Sequence, residues 1–200
     1  TESDRQAELY VEGRDYSYRE TAWDVETNVV SNANENSWDS ASIDLYINTK
    51  KESRFKLDAS SSSISQINFT ADQSQGDLTV DASASSTADR NDRYARVYIR
   101  TGYGDDTINA SVSTTGLSSQ SQNTGVTINS GSGNDSVTGG SSADTLDGGA
   151  GDDVLKGGSG SDTIQGGTGS DTIEGGSGND TIYGGVTDAN ETDTVVYSGN

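Results

Sequence analysis

The sequence contains no cysteine, histidine, proline or methionine among its 200 residues. Without cysteine and histidine, disulfides, thiolate zinc sites, haem ligation and catalytic Ser-His or Cys-His pairs are all excluded. The metal ligands that remain are oxygen atoms, which suit calcium or magnesium. Any bound metal is therefore expected to be a hard divalent cation.

Large apolar residues are also scarce. Val, Ile, Leu and Phe make up 32 of the 200 residues, and the formal net charge is -20. This combination is typical of intrinsically disordered chains, because too little apolar surface is available to offset the conformational entropy lost on folding. A folded state therefore needs a stabilising contribution from outside the chain.

Basic residues number 12 against 32 acidic residues. Because nucleic-acid binding draws its affinity from Lys and Arg near phosphates, we expect no nucleic-acid partner. No run of 18 apolar residues occurs, and the first 30 residues hold no apolar signal core. We therefore expect no membrane insertion and no cleavable leader, and we expect the sequence to be a segment of a longer chain.

A nine-residue repeat runs without interruption through residues 130–183. Its glycine-rich first six residues are predicted to form a tight loop and its last three a short strand. Each unit has an aspartate at its sixth place and an aliphatic residue at its eighth place. The aspartates are Asp135, Asp144, Asp153, Asp162, Asp171 and Asp180. The aliphatic residues are Val137, Leu146, Leu155, Ile164, Ile173 and Ile182.

A three-residue strand can bury its single aliphatic side chain only against neighbouring units. The repeats are therefore predicted to stack into a right-handed parallel coil with two sheets and two units per turn. Strands of adjacent turns then lie about 4.8 Å apart, which places residue i on residue i+18. The predicted columns of acids are Asp135, Asp153 and Asp171 on one edge, and Asp144, Asp162 and Asp180 on the other.

Carboxylates stacked in this way repel each other. Two like charges about 5 Å apart in a partly dry loop cost several kcal/mol unless a cation lies between them. Calcium accepts about six to eight oxygen ligands in a flexible geometry, whereas magnesium demands a compact octahedron and keeps its waters. The repeat therefore predicts several calcium ions between successive turns.

The unit GGxGxDxUx, in which U is aliphatic, resembles the RTX nonapeptide repeat of calcium-binding proteins exported by Gram-negative bacteria, among them adhesins and toxins. The resemblance implies a parallel β-roll, a calcium ion between consecutive loops on each edge, type I secretion and folding outside the cell. It also implies that the six repeat aspartates are calcium ligands. The loop carbonyls that it implies as further ligands include those of Gly148, Gly157, Gly166 and Gly175.

The repeat departs from this pattern at two places near its start. Ser142 replaces the glycine at the fourth place of its unit, so the loop at 139–144 is expected to bind more weakly. Val126 stands nine residues before Asp135, where an acid would be needed. The ladder of acids in the repeat is therefore expected to begin at Asp135.

Two further acids outside the unbroken repeat are candidate ligands. Four extra residues precede Asp193, which regains the phase of the repeat and is expected to pair with Asp171. Thr101–Asn109 is an isolated unit of the same type, with Asp106 at the ligand position. That unit either completes a calcium site with another loop or forms an ordinary turn.

Strand-like fragments with two alternating apolar residues recur before residue 130. They are Phe55/Leu57, Ile67/Phe69, Leu78/Val80, Val97/Ile99 and Val126/Ile128. Residues 55–129 are therefore predicted to form irregular β-solenoid coils that lead into the calcium-binding β-roll of residues 130–200. A β-sandwich would give the same fragments.

Residues 1–54 show a different alternation and are predicted to form antiparallel strands. Because the open edge of a solenoid needs to be covered, they are expected to cap the end of the coil. As an alternative, Tyr16, Tyr18, Trp23 and Trp38 form an aromatic platform for a glycan or peptide. The sequence does not separate these two interpretations.

The predicted class is thus all-β, and the predicted function is that of a non-enzymatic, calcium-folded extracellular segment of a large type I secreted adhesin or surface protein of a Gram-negative bacterium. The alternative is a glycan- or peptide-binding module, in an adhesin or beside a secreted polysaccharide-modifying enzyme. An enzyme within these residues is disfavoured, because no pair of carboxylates stands out and no histidine can shuttle protons near pH 7.

Overall fold

The computed structural model describes eight segments of the chain. They are residues 10–11, 26–31, 41–48, 53–57, 64–82, 96–111, 125–185 and 191–197. These segments consist of strands and turns, and none of them contains a helix that could cross a membrane. The structure is therefore described through its strands and the loops between them.

The described residues form sixteen strands. In chain order they are β1 (Tyr10–Val11), β2 (Glu26–Ser31), β3 (Ala41–Asn48), β4 (Ser53–Leu57), β5 (Ile64–Thr70), β6 (Leu78–Asp81), β7 (Arg96–Arg100), β8 (Thr107–Asn109), β9 (Val126–Asn129), β10 (Ser136–Thr138), β11 (Thr145–Ala150), β12 (Val154–Ser159), β13 (Thr163–Thr168), β14 (Thr172–Ser177), β15 (Thr181–Gly185) and β16 (Thr194–Val196).

These strands build two sheets of eight strands each. The first sheet has the order β1-β4-β6-β8-β10-β12-β14-β16, and the second has the order β15-β13-β11-β9-β7-β5-β3-β2. From β3 onward, consecutive strands alternate between the two sheets, and strands within a sheet pair in parallel. The chain therefore winds as a parallel β-roll, and the predicted fold class is confirmed.

The register of the repeats follows a period of eighteen residues. Val137 in β10 lies opposite Leu155 in β12, which lies opposite Ile173 in β14. On the other sheet Leu146 lies opposite Ile164. The predicted stacking of residue i on residue i+18 is confirmed.

The strands of the repeats are longer than predicted. Strands β11 to β14 have six residues each, where the sequence predicted three. They continue through the Gly-Gly pair of the following unit, where Gly149 pairs with Gly167 and the Ala150 amide donates to the Gly131 carbonyl at 2.9 Å. The prediction was wrong because it treated the glycines only as turn residues, although their backbone groups join the ladder.

Two glycine positions in each loop allow the turns to approach closely. Gly149 and Gly151 have φ angles of 98° and 124°, a region that disfavours residues with a side chain. A Cβ atom at Gly149 would also collide with the Gly131 carbonyl oxygen of the preceding turn. Successive turns can therefore pair through their loops as well as through their strands.

The core is a continuous column of apolar side chains between the sheets. In the repeats each strand contributes one buried residue, such as Leu155, which is fully buried. Upstream coils bury more, since Val97 and Ile99 both point inward from β7. The rings of Phe55 and Phe69 pack 5.3 Å apart in the same column. The repeats thus have the smaller apolar core and the greater need for another stabilising contribution.

The fragments predicted between residues 55 and 129 are strands of the same two sheets. Val80 in β6 lies opposite Ile108 in β8, and Ile108 lies opposite Val137 in the first repeat. The turn from Ile108 to Val137 spans 29 residues rather than eighteen, yet its register is parallel and regular. Irregular coils therefore stack directly on the repeats.

The described strands of residues 1–54 pair in two ways. Strands β2 and β3 are antiparallel, as predicted for this region, whereas β3 pairs in parallel with β5 and β1 in parallel with β4. A strand that continues the winding of the coil runs parallel to its neighbour, which accounts for the difference. The cap and the domain boundaries after residues 54 and 129 stay predictions.

Candidate metal centres at the edges of the roll

Six-residue loops line both edges of the roll, and each ends at a repeat aspartate. The loops that precede strands of the first sheet are called the first edge. The loops that precede the repeat strands of the second sheet are called the second edge. The first edge comprises residues 101–106, 130–135, 148–153 and 166–171. The second edge comprises residues 139–144, 157–162 and 175–180.

Each repeat aspartate contacts the preceding turn through its Oδ1 atom. Asp153 Oδ1 accepts a hydrogen bond from the backbone N–H of Asp135 at 2.8 Å, and Asp171 Oδ1 accepts one from Asp153 at 2.9 Å. On the second edge, Asp162 Oδ1 accepts the N–H of Asp144 at 2.8 Å. These contacts act as rungs, because each one joins an aspartate side chain to the backbone of the preceding turn. Amide donors also favour the ionised form of a carboxylate.

The rungs of the first edge continue beyond the unbroken repeat. The Asp106 N–H donates to Asp135 Oδ1 at 2.7 Å, and the Asp171 N–H donates to Asp193 Oδ1 at 3.1 Å. Asp193 thus lies beside Asp171 in the same column in spite of the intervening insertion, and its role as a ligand stays a prediction. Asp106 extends the same column upstream by one turn.

The second carboxylate oxygen, Oδ2, is buried and has no hydrogen-bond partner in five aspartates of the described segments. These are Asp106, Asp135, Asp153, Asp162 and Asp171. Each of these residues is at most 2% exposed. A buried charged oxygen without a partner is costly, so these atoms favour a positively charged group nearby.

Two aspartates of the second edge differ from this pattern. Asp144 Oδ2 accepts the N–H of Gly140 at 2.6 Å within its own loop, which is the loop where Ser142 replaces glycine. Asp180, in the last repeat, accepts the N–H of Asp162 at 3.0 Å and is only half-buried. The carboxylate of the Ser142 loop is thus already satisfied by a backbone donor.

Three of the unpaired Oδ2 atoms, those of Asp153, Asp162 and Asp171, face the glycine that begins their own loop. A Cβ atom built on Gly148 would contact Asp153 Oδ2 and lie 2.6 Å from the carbonyl oxygen of Gly166, one turn later. A Cβ atom built on Gly157 would likewise contact Asp162 Oδ2 and would lie 2.6 Å from the carbonyl oxygen of Gly175. We call such a space, lined by a carboxylate and a carbonyl oxygen, a cradle.

The four glycines whose carbonyls were predicted as ligands fall into two groups. The carbonyls of Gly157, Gly166 and Gly175 each face the cradle of the preceding turn on their edge. The Gly148 carbonyl instead accepts a hydrogen bond from the Ser130 hydroxyl at 2.9 Å. The difference arises because Ser130 stands eighteen residues before Gly148, where the other three glycines have a glycine.

Burial raises the pKa of the repeat aspartates. The pKa rises to about 7 in Asp106 and Asp153 and to about 6 in Asp135 and Asp144, and burial also raises the pKa of Asp162 and Asp171. In Asp153 the nearby charges of Asp135 and Asp171 add to the rise in pKa, whereas the Asp135 N–H opposes it. The columns therefore resist full ionisation unless a cation offsets their charge.

A second column of hydrogen bonds runs along the exposed surface of the first edge, one residue before each repeat aspartate. The amide of Asn134 donates to Asp105 Oδ1, that of Asp152 to Asn134 Oδ1, and that of Ser170 to Asp152 Oδ1, each at 2.8 Å. Sequence reasoning missed this column. Its signal is a run of short acceptor side chains at the fifth place of each unit on this edge, a run that Ala143 interrupts on the other edge.

The available donor atoms fit calcium. Within the described segments no three acidic side chains converge on one point, so carboxylates from two turns and loop carbonyls are the oxygens at hand. Calcium takes about six to eight such oxygens in an irregular shell, and magnesium prefers a compact octahedron that retains water. A bound calcium ion would supply positive charge beside the unpaired Oδ2 atoms.

Comparison with known proteins places the repeat in a described class. Residues 127–155 and 156–187 match the RTX calcium-binding nonapeptide repeat, which is defined by four copies of the unit. This segment is therefore an array of RTX repeats, and such arrays bind several calcium ions. No curated protein and no solved structure matches the chain.

The candidate aromatic platform lies outside the described residues. Its members are Tyr16, Tyr18, Trp23 and Trp38. The glycan- or peptide-binding alternative that depends on them stays a prediction.

Proposed function

We propose that this chain is a non-enzymatic segment of a large type I secreted adhesin or surface protein, and that calcium drives the folding of its repeats outside the cell. The observation that supports this proposal is that buried Oδ2 atoms without hydrogen-bond partners recur beside the glycine-opened loops, at Asp153 and Asp171 on the first edge and at Asp162 on the second. The match to RTX repeats supports the choice of calcium and the extracellular location in a Gram-negative bacterium.

The proposed calcium ligands are carboxylates and loop carbonyls of consecutive turns. On the first edge, Asp153 Oδ2 and the Gly166 carbonyl line one cradle, and Asp171 Oδ2 lines the next. On the second edge, the Gly157 cradle combines Asp162 Oδ2 with the Gly175 carbonyl. The proposed set of acidic ligands comprises Asp144, Asp153, Asp162, Asp171, Asp180 and Asp193.

The chain itself supplies the dependence on calcium. Where calcium is scarce, repulsion and desolvation of the stacked carboxylates oppose winding of the repeats. Where calcium is abundant, binding and folding are coupled, because the cradles exist only in the wound chain. Extracellular calcium modules bind with a Kd of about 10⁻⁴ to 10⁻³ M, and we expect the same range here.

A structural role is supported by the architecture of the repeats. RTX units are calcium-binding structural repeats, and stacked repeats gain their stability from contacts with their neighbours. An adhesin or surface protein uses such an array as an extended, calcium-stabilised segment. The acidic surface, with a net charge of -20, suits a soluble extracellular segment of this kind.

A titration of the full chain followed by far-UV circular dichroism tests the proposal. We expect the strand signal to rise with calcium between about 10⁻⁴ and 10⁻³ M and to fall again on chelation. Magnesium at the same concentrations is the control and should produce a much smaller rise. A strand signal equally strong in chelator and in calcium would contradict calcium-dependent folding.

A further inference from the structure

Two loops of the first edge do not begin with glycine. Thr101 and Ser130 occupy the place that Gly148 and Gly166 take in the loops that follow. Both side chains are buried, with 2% and 0% of their surface exposed. The space that forms a cradle beside Gly148 is therefore filled, in these two loops, by a Cβ atom and a hydroxyl group.

These hydroxyls connect successive turns directly. Thr101 Oγ1 donates to the Ser130 carbonyl at 2.7 Å, and Ser130 Oγ donates to the Gly148 carbonyl at 2.9 Å. In both cases the acceptor is the first carbonyl of the next loop, which is the group that faces the cradle in later turns. In the loop that begins at Gly148, the carbonyl that faces the cradle from the next turn is that of Gly166.

The carboxylates of the same loops are also close to these hydroxyls. Thr101 lies beside the carboxylate of Asp106, and Ser130 lies beside that of Asp135. A hydroxyl carries a single proton, and here the next carbonyl receives it. The Oδ2 atoms of both aspartates consequently lack a hydrogen bond, even though a polar group lies beside them.

The coils around these two loops also bury more apolar surface. In the second sheet, β7 buries Val97 and Ile99 and β9 buries Val126 and Ile128, whereas β11 and β13 of the repeats bury one aliphatic residue each. Each further buried aliphatic side chain stabilises its turn through the hydrophobic effect. The upstream turns therefore depend less on a bound ion than the glycine-opened turns do.

We propose that the hydroxyls of Thr101 and Ser130 take the place of calcium at the first two positions of the first edge. Strands β7 to β10 then stay wound without metal and offer a preformed end on which the glycine-opened repeats wind when calcium is present. Asp106 and Asp135 act as rungs between turns rather than as calcium ligands. The inference rests on the proposed binding of calcium by the later loops.

Reciprocal substitutions at Ser130 and Gly148 test this assignment through the number of calcium ions bound per chain. Equilibrium dialysis of the full chain, with the metal measured by atomic emission, gives that number. Ser130→Gly should open a cradle and add one ion, and Ser130→Ala, which keeps the Cβ atom, should add none. Gly148→Ser should fill a cradle and remove one ion.

The outcomes separate the two proposals. A wild-type chain that binds no calcium would overturn the proposed function. A wild-type chain that binds calcium, with no gain in Ser130→Gly, would overturn the hydroxyl assignment alone. A loss of one ion in Ser130→Gly would also overturn it, because the hydroxyl would then be a ligand.

Hydrogen exchange in chelator gives a second measurement that does not depend on ion counts. We expect the amides of β9 and β10 to remain protected in the wild-type chain while those of β13 and β14 exchange rapidly. Ser130→Ala should speed exchange in β10 about tenfold, because it removes one buried hydrogen bond. Rapid exchange of β9 and β10 in the wild-type chain, or no change in Ser130→Ala, would overturn the proposal.

Discussion

At the scale of single residues, each repeat aspartate uses its two carboxylate oxygens in different ways. Oδ1 accepts a backbone N–H from the preceding turn, and Oδ2 faces the cradle of its own loop. The first contact needs only an acceptor, whereas the second needs negative charge to hold a cation. A change of Asp to Asn therefore separates the two roles, because it keeps the acceptor and removes the charge.

Asp153 and its neighbour Asp152 offer a matched pair for this test. Asp153 is buried with an unpaired Oδ2, whereas Asp152 is exposed and accepts an N–H from Ser170. Asp153→Asn should destabilise the calcium-bound chain by about 2 kcal/mol, which lowers the melting temperature by roughly 4–8 °C. Asp152→Asn also removes one negative charge, and it should change the melting temperature by no more than about 1 °C. Thermal melts in millimolar calcium measure both, and equal shifts would contradict the separate role of Oδ2.

The position of each acid along the chain was predictable, but its contacts were not. The period of nine places Asp135 and Asp153 in one column, and both are found there. The rung between them was not predicted, because a donor that is part of the backbone leaves no trace in the pattern of side chains. For the same reason the exposed column through Asn134 and Asp152 was missed.

At the scale of the strand, the repeats combine a minimal core with an extended backbone ladder. Strand β12 buries Leu155 completely, while Val154 on its outer face is 40% exposed. Its glycines extend the ladder, as Gly158 pairs with Gly176 of the next turn. Each strand is therefore stabilised by one side chain and by backbone hydrogen bonds on both sides.

Because each repeat strand depends on one buried aliphatic residue, truncation of that residue is predicted to lower the free energy of unfolding strongly. Leu155→Ala should destabilise the calcium-bound chain by about 2–5 kcal/mol, because the neighbouring Val137 and Ile173 cannot fill the cavity without moving their strands. Val154→Ala, on the outer face, should cost about 0.5 kcal/mol. Denaturant unfolding in calcium measures both, and similar values for the two variants would contradict the inward column.

At the scale of the whole molecule, the acid columns make folding depend on both protons and calcium. Burial raises the pKa of Asp153 to about 7 and that of Asp144 to about 6, above the ordinary value of 3.8. Without metal, the folded chain therefore binds protons more tightly than the unfolded chain does. The stability that these groups contribute is present in full below pH 3.8 and is lost as the pH rises through about 6 to 7.

This linkage predicts that low pH favours folding of the calcium-free chain, whereas high pH favours calcium binding. In calcium-free buffer, the strand signal should increase when the pH is lowered from about 8 to about 5, because protonation relieves the repulsion in the columns. The further gain on adding calcium should be larger at about pH 8, because the ligands must be ionised to bind metal. Circular dichroism at both pH values measures the effect. A calcium-free chain with less strand at about pH 5 would contradict the expected sign.

The sequence alone determined the repeating elements of this protein. Its period of nine required alternation between two sheets, a register of eighteen residues and columns of acids, because only one inward aliphatic residue and one acid recur per unit. The absence of cysteine and histidine restricted any metal ligands to oxygen atoms.

Only the tertiary structure decided how the irregular coils meet the repeats. It brought Asp106 onto Asp135 across 29 residues, and it placed the Thr101 hydroxyl against the Ser130 carbonyl, also 29 residues away. These contacts join residues separated by turns of unequal length, so no fixed spacing in the sequence encodes them. They arise because stacked parallel strands align their loops whatever number of residues lies between them.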